Sequence, residues 1–199
     1  MRKYLYKLIA LLCLAAAQPA LYAVSGTANL VLGQPDFTSS ASGGTFGYPS
    51  EVVVTSDRVY VVDYTNNRVL WWNGPASLIN NATPDGVIGQ TSISGTTSGT
   101  AANKLNQPQG VFVDPGGNVW ISDSSNNRVL RFAKPTTNGE SANLVLGQTS
   151  MTSRTAATSA TGMSMPIMTI MDSAGNVWVA EGSNHRIVKF SSTTIAGGW

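Results

Sequence analysis

The sequence predicts an all-β fold, a row of small antiparallel sheets standing face to face. Three observations predict it. An apolar run, an acid, an Asn and an Arg recur in order as VYVVDYTNNRVLWW (Val59–Trp72), VWISDSSNNRVLRF (Val119–Phe132) and VWVAEGSNHRIVKF (Val177–Phe190). A Gly-Gln pair closes an apolar run at Gln34, Gln90 and Gln148, and a proline opens one at Pro49, Pro108 and Pro166, so successive landmarks lie 56 to 60 residues apart. No stretch after the first 23 residues shows helical periodicity, which disfavours a helix-containing repeat.

The second repeat shows how each element arises. Gly110–Asp114 (GVFVD) is apolar and β-branched, and Pro115–Asn118 (PGGN) turns the chain, with Pro fixing φ and Gly permitting positive φ. Val119–Asp123 returns, Ser124–Asn127 turns again, Arg128–Phe132 is the third strand and Ala142–Gln148 the fourth. Two tight turns in succession give an antiparallel meander. Adjacent apolar pairs such as Val119 and Trp120, or Val129 and Leu130, require cover on both faces of the sheet. Small meanders covered by one another rather than by helices are β-propeller blades, here about 28–84, 85–141 and 142–199.

The chain opens with a leader. Arg2, Lys3 and Lys7 precede an unbroken apolar run, Leu8–Ala17, and small residues follow to Ala23. This is the pattern of a secretory signal peptide over 1–23, its apolar run too short for a comfortable permanent span. The expectation is a secreted or periplasmic protein of the cell envelope, 24–199, with no membrane span after cleavage. Twelve Lys and Arg, less those three, leave nine against ten Asp and Glu, which argues against a nucleic-acid partner. The single cysteine, Cys13, also lies in the leader, so the mature chain forms no internal disulfide and is held by packing.

The acid and the Arg are five residues apart in every copy: Asp63 and Arg68, Asp123 and Arg128, Glu181 and Arg186. Between them stand Asn66 and Asn67, Asn126 and Asn127, and Asn184 and His185. Asn tolerates left-handed backbone, and the Arg that opens strand three can reach back across the turn to the acid. A spacing kept in all three units is what a structural clasp needs, whereas a catalytic group ordinarily occurs once. These twelve residues are therefore read as a structural repeat motif.

At these residues the chain resembles the NHL-repeat β-propellers. Pro108–Phe132 carries the whole pattern: an apolar strand after Pro-x-Gly, an Asp, a Gly-Asn turn, an aromatic-containing strand ending in Asp, then Asn-Asn-Arg-Val. The first copy has Glu51 for Gly and a shorter turn, and the third has Met168 for Gly, Glu181 for Asp and His185 for Asn. The VLGQ strand is similar to that of bacterial secreted members. The resemblance implies blades of a propeller and leaves activity open, because the family includes binding domains, receptor ectodomains and a lyase. Three blades do not close a ring. The chain is then a stretch of a longer propeller, which the sequence favours, or half of a six-bladed homodimer in which Ala28–Gln34 of each copy completes the last blade of the other.

Candidate chemistry is sparse. His185, the sole histidine, occupies a turn position, and without cysteine a zinc centre lacks its usual ligands. Asp114, Asp123, Asp172, Asn118 and Asn176 are hard oxygen groups that would suit calcium, yet they recur at turns where amides would use them. No catalytic residue, metal ligand or cofactor is expected. Tyr60, Trp120 and Trp178 share one place in strand two and are expected between blades; Trp71 and Trp199 are candidate exposed binding aromatics. The long polar stretches Thr38–Tyr48, Thr91–Gln107 and Thr149–Met165 are either recognition loops or flexible surface. The functional expectation is an exported, non-catalytic scaffold that binds a protein or a glycan. The alternative is a metal-dependent hydrolase or lyase of which this chain is part.

Overall fold

The computed structural model describes residues 26–41, 45–193 and 195. Three antiparallel sheets succeed one another along the chain. The first holds β1 (Pro49–Val54), β2 (Arg58–Asp63), β3 (Arg68–Asn73) and β4 (Gly86–Ile88) in that order. The second holds β5 (Gly110–Val113), β6 (Val119–Asp123), β7 (Arg128–Phe132) and β8 (Leu144–Leu146). The third holds three strands among the described residues: β9 (Pro166–Met171), β10 (Val177–Glu181) and β11 (Arg186–Phe190). The register repeats from sheet to sheet, since Asp63 faces Arg68, Asp123 faces Arg128 and Glu181 faces Arg186.

The turns explain why the meanders form. Asn67, Asn127 and His185 each sit at the end of the second turn with φ of 54°, 52° and 51°. Asn suits that left-handed conformation, so the turn is built into the sequence. The first turn is clamped by its own acid. Asp114 accepts the Asn118 backbone and side-chain N–H groups and the Trp120 indole N–H (2.9 Å). Asp172 does the same for Asn176 and Trp178.

The sheets stack face to face, and alternate residues of each strand point to opposite neighbours. Tyr60, Val62, Val69 and Trp71 of the first sheet meet Val111, Ile121, Leu130 and Phe132 of the second. Trp120 and Val129 of the second meet Val177 and Val179 of the third. Every residue of β6 and β7 is buried, as strands with both faces covered must be. The remaining face of the first sheet, with Leu70 and Trp72, is partly covered by Leu32, Phe46, Leu78, Ala82 and Ile93. The remaining face of the third sheet is open: Met168, Ile170, Trp178 and Ile187 are exposed.

Two expectations are corrected. Residues 28–34 form no strand; they lie against the outer face of the first sheet, where the described residues supply no neighbouring strand to share backbone hydrogen bonds. Trp178 is 37% exposed rather than packed between sheets, because no fourth sheet covers it among the described residues, whereas Tyr60 and Trp120 are buried as expected. The leader and Trp199 lie outside the described residues. Among the described residues no helix is long and apolar enough to cross a membrane.

Candidate functional site

Each acid of the repeat motif stands at the end of the second strand of its sheet, facing the Arg that opens the third. In the second sheet Asp123 Oδ2 accepts from Arg128 Nε (2.7 Å) and Asn126 Nδ2 (2.9 Å), while Oδ1 accepts the Asn106 backbone N–H (2.7 Å). In the first, Asp63 Oδ2 accepts from Arg68 Nε and Asn66 Nδ2, both at 2.9 Å, and Oδ1 accepts the Gly47 and Tyr48 N–H groups. In the third, Glu181 accepts from Arg186, Asn184 and the Ser164 N–H. All three acids are buried. Burial pushes the Asp123 carboxyl above its ordinary range, against the opposing pull of Arg128.

The guanidinium does more than face the acid. Arg128 donates to the carbonyls of Thr100, Ala101 and Lys104 on one loop and of Met151 on the next. Arg186 donates to Thr158, Ser159 and Gly162, and Arg68 to Thr45 and Ile93. Five fixed donors let one Arg organise several carbonyls at once. The loops 91–107 and 149–165 are thereby pinned to the sheets. The sequence showed the spacing of acid and Arg but not these carbonyls, which depend on loop conformation and carry no residue signature.

The second turn residue is a staple between sheets. Asn67 Oδ1 accepts the Gln107 N–H (2.8 Å), and Asn127 Oδ1 accepts the Met165 N–H (2.9 Å). Gln90 Nε2 donates to the Asn67 carbonyl and Gln148 Nε2 to the Asn127 carbonyl. This is why the Gly-Gln pair recurs, a role that the sequence did not disclose. His185 stands at the equivalent place and is exposed.

Trp71 is not an exposed aromatic. It is buried under Arg58, whose guanidinium carbon lies 4.1 Å from the ring centre. An Arg at the far end of the neighbouring strand supplies the cover, a cross-strand relation that local pattern does not reveal. Glu51, at the position of the family's glycine, accepts the Val111 N–H (2.6 Å) and so ties β1 to β5.

Asp114 and Asp172, read as candidate calcium ligands, have both carboxylate oxygens engaged by N–H donors. Among the described residues no group of three or more His, Cys, Asp or Glu is placed to hold a metal. One cleft, about 580 Å³, lies beside the loop that Arg68 holds and is lined by Thr45, Arg68, Asn81, Thr83, Pro84, Ser92, Ile93, Ser94 and Asn138. Another, about 470 Å³, lies between the turns 115–118 and 171–175. The larger cleft is the candidate binding site: its lining is mainly neutral hydroxyl and amide groups on restrained loops.

The NHL repeat model matches residues 105–132. No curated relative matches the chain in sequence. Among solved structures it resembles a putative phosphatase from Bacteroides thetaiotaomicron, with 12% identity, a TM-score of 0.51, and 71% of this chain and 34% of that one covered. It also resembles an auxiliary nutrient binding protein from the same organism (10%, TM-score 0.46, 67% and 34% covered). A third is a catalytically inactive virginiamycin B lyase from Staphylococcus aureus bound to quinupristin (16%, TM-score 0.37, 74% and 42% covered). The chain thus spans about a third to two fifths of the length of these structures, and its likeness to the first is one of fold. Residues 105–132 match the NHL repeat, and the sheets before and after them follow the same antiparallel plan, an all-β array consistent with part of a β-propeller.

Proposed function

We propose that the chain is an exported, non-catalytic scaffold that binds a protein or glycan ligand at the cell envelope. The observation that carries the reading is where the repeated polar residues are spent. Every acid and Arg of the motif is engaged with its partner and with loop backbone, so the motif holds loops in place rather than presenting reactive groups. Restrained loops on a rigid sheet array are where binding groups are commonly carried. The cleft beside Arg68 supports a glycan over a charged ligand, because hydroxyls and amides of Thr45, Thr83, Ser92, Ser94, Asn81 and Asn138 match sugar hydroxyls as donors and acceptors. Export rests on the leader pattern of residues 1–23.

The test is a binding screen of the full chain against neutral oligosaccharides and envelope proteins, with Ser94→Trp filling the cleft. The expected result is a saturable ligand that Ser94→Trp abolishes while the melting temperature is kept. Stoichiometric metal together with a hydrolase or lyase activity, both lost on chelation, would overturn the reading in favour of an enzyme.

A further inference from the structure

The two ends of the sheet row carry complementary halves of one joint. Residues 29–34 sit on the first sheet much as residues 85–90, with β4, sit on the second. Val31 N–H donates to Asn80 Oδ1 as Val87 N–H donates to Asn138 Oδ1. Gly33 and Gly89 have φ of 85° and 88°, and each is covered by an apolar side chain, Phe46 and Leu105 respectively. Gln34 and Gln90 each donate to a carbonyl seven residues on, Ala41 and Thr97. The N-terminal segment is therefore already in the place of an outer strand of a preceding sheet. Gln90 also has a second acceptor, the Asn67 carbonyl of the sheet its strand belongs to, and Gln148 has the Asn127 carbonyl.

At the other end, the third sheet has three strands among the described residues where the other two have four. The face that the second sheet buries through Trp120 and Val129 is exposed in the third as Trp178 and Ile187. The first sheet likewise leaves Val52 and Val54 exposed at the end where 29–34 lies. Within the described residues the segment and the open strand β11 lie at opposite ends of the row.

We propose that a second copy of this chain covers both ends, residues 29–34 of each copy pairing with β11 of the other in a two-fold, six-bladed ring. The occupant is a second copy because the chain itself carries the matching half, already shaped, and because the interface continues a packing that occurs twice within the chain. Doubling three blades also gives a number within the four to eight of closed propellers. Two-fold closure is the commonest symmetry of soluble oligomers. The register follows from the pairs that β3 makes with β4 and β7 makes with β8. Leu32, Val31 and Leu30 fall opposite Ile187, Val188 and Lys189, and Gln34 donates to the His185 carbonyl. This assembly does not depend on the identity of any ligand.

The register makes the test sharp. Directly opposed residues of an antiparallel pair lie about 4.5–5.5 Å apart between Cα atoms, within disulfide reach, and a shift of two residues takes them out of it. The full chain with Cys13→Ser is made with Leu30→Cys and Lys189→Cys, and separately with Leu30→Cys and Ile187→Cys. Lys189 and Ile187 are exposed and Leu30 is half-buried, so both double variants keep the core. The expected result is a species of twice the chain mass in sedimentation at micromolar concentration for the Cys13→Ser chain, with covalent dimer formed at least tenfold faster by the 30/189 pair than by the 30/187 pair. A monodisperse monomer, a polydisperse aggregate without a dimer, or equal cross-linking by both pairs overturns the proposal. The aggregate would point instead to blades supplied by further chain.

Discussion

Arg128 is the residue on which most of the second sheet's polar order converges. It has no solvent exposure, and its acid has none either. Removing one member of a buried pair leaves the other charged and unpaired, so Arg128→Ala is expected to cost about 3–5 kcal/mol. Arg186 makes the same kind of contacts with 30% of its side chain exposed, and water can replace part of what is lost. Arg186→Ala should therefore cost about 1–2 kcal/mol, near the value for a single hydrogen-bonding group. Urea melts of the two variants give the comparison, and equal midpoints would show that burial of the clasp is not what sets its strength.

A second residue-scale expectation concerns acid. Asp172 has its carboxyl lowered to about 2, first by the Trp178 indole N–H and then by Asn176. A depressed folded-state value means that the carboxylate form supports the turn. Its contribution is present above the ordinary value of 3.8 and is lost as pH falls through about 2. Trp178 emission should change over that window, and Asp172→Asn should remove the change. A transition that persists in Asp172→Asn would assign it to another group.

Elements were legible in the sequence wherever partners were local. The two turns of each meander carry their own signals, Asp with Asn and Trp in the first, Asn in left-handed backbone in the second, so β5, β6 and β7 fall where the pattern puts them. The segment 28–34 reads like β4 and β8 but joins no sheet among the described residues, because a strand is defined by its neighbour and not by its residues. The glycine of the Gly-Gln pair is legible only afterwards. At Gly89 an added Cβ would lie 2.6 Å from Leu105 and 3.1 Å from the Asn67 carbonyl, with φ at 88°. Gly89→Ala should thus lose about 1–3 kcal/mol from crowding and backbone strain together. The control is Gly26→Ala, which meets nothing within 4 Å. Equal stability of the two in thermal melts would mean that the close approach relaxes freely.

The molecule as a whole is a row with a protected centre and unequal ends. The sequence disclosed the repeat and hence the sheets, yet not how the ends are covered, since cover is a relation between sheets far apart in the chain. The second sheet is packed on both faces, and Trp120, Val129 and Leu130 have no exposure. The third is packed on one, and its last strand has exposed and half-buried residues in alternation. Amide exchange follows local opening, which is easiest where few buried contacts hold the backbone. Amides of β6 and β7 should then exchange slowest and those of β11 fastest when the chain is dilute. The proposed pairing of β11 with residues 29–34 of a second copy would add a concentration term: protection of β11 should rise steeply as the chain is concentrated through the micromolar range, while β6 and β7 change little. Residues 29–34 should gain protection over the same range as β11, because both strands of the joint form in one step. Protection of β11 that is independent of concentration would mean that its open edge is covered from within the chain, and the two-copy ring would have to be abandoned.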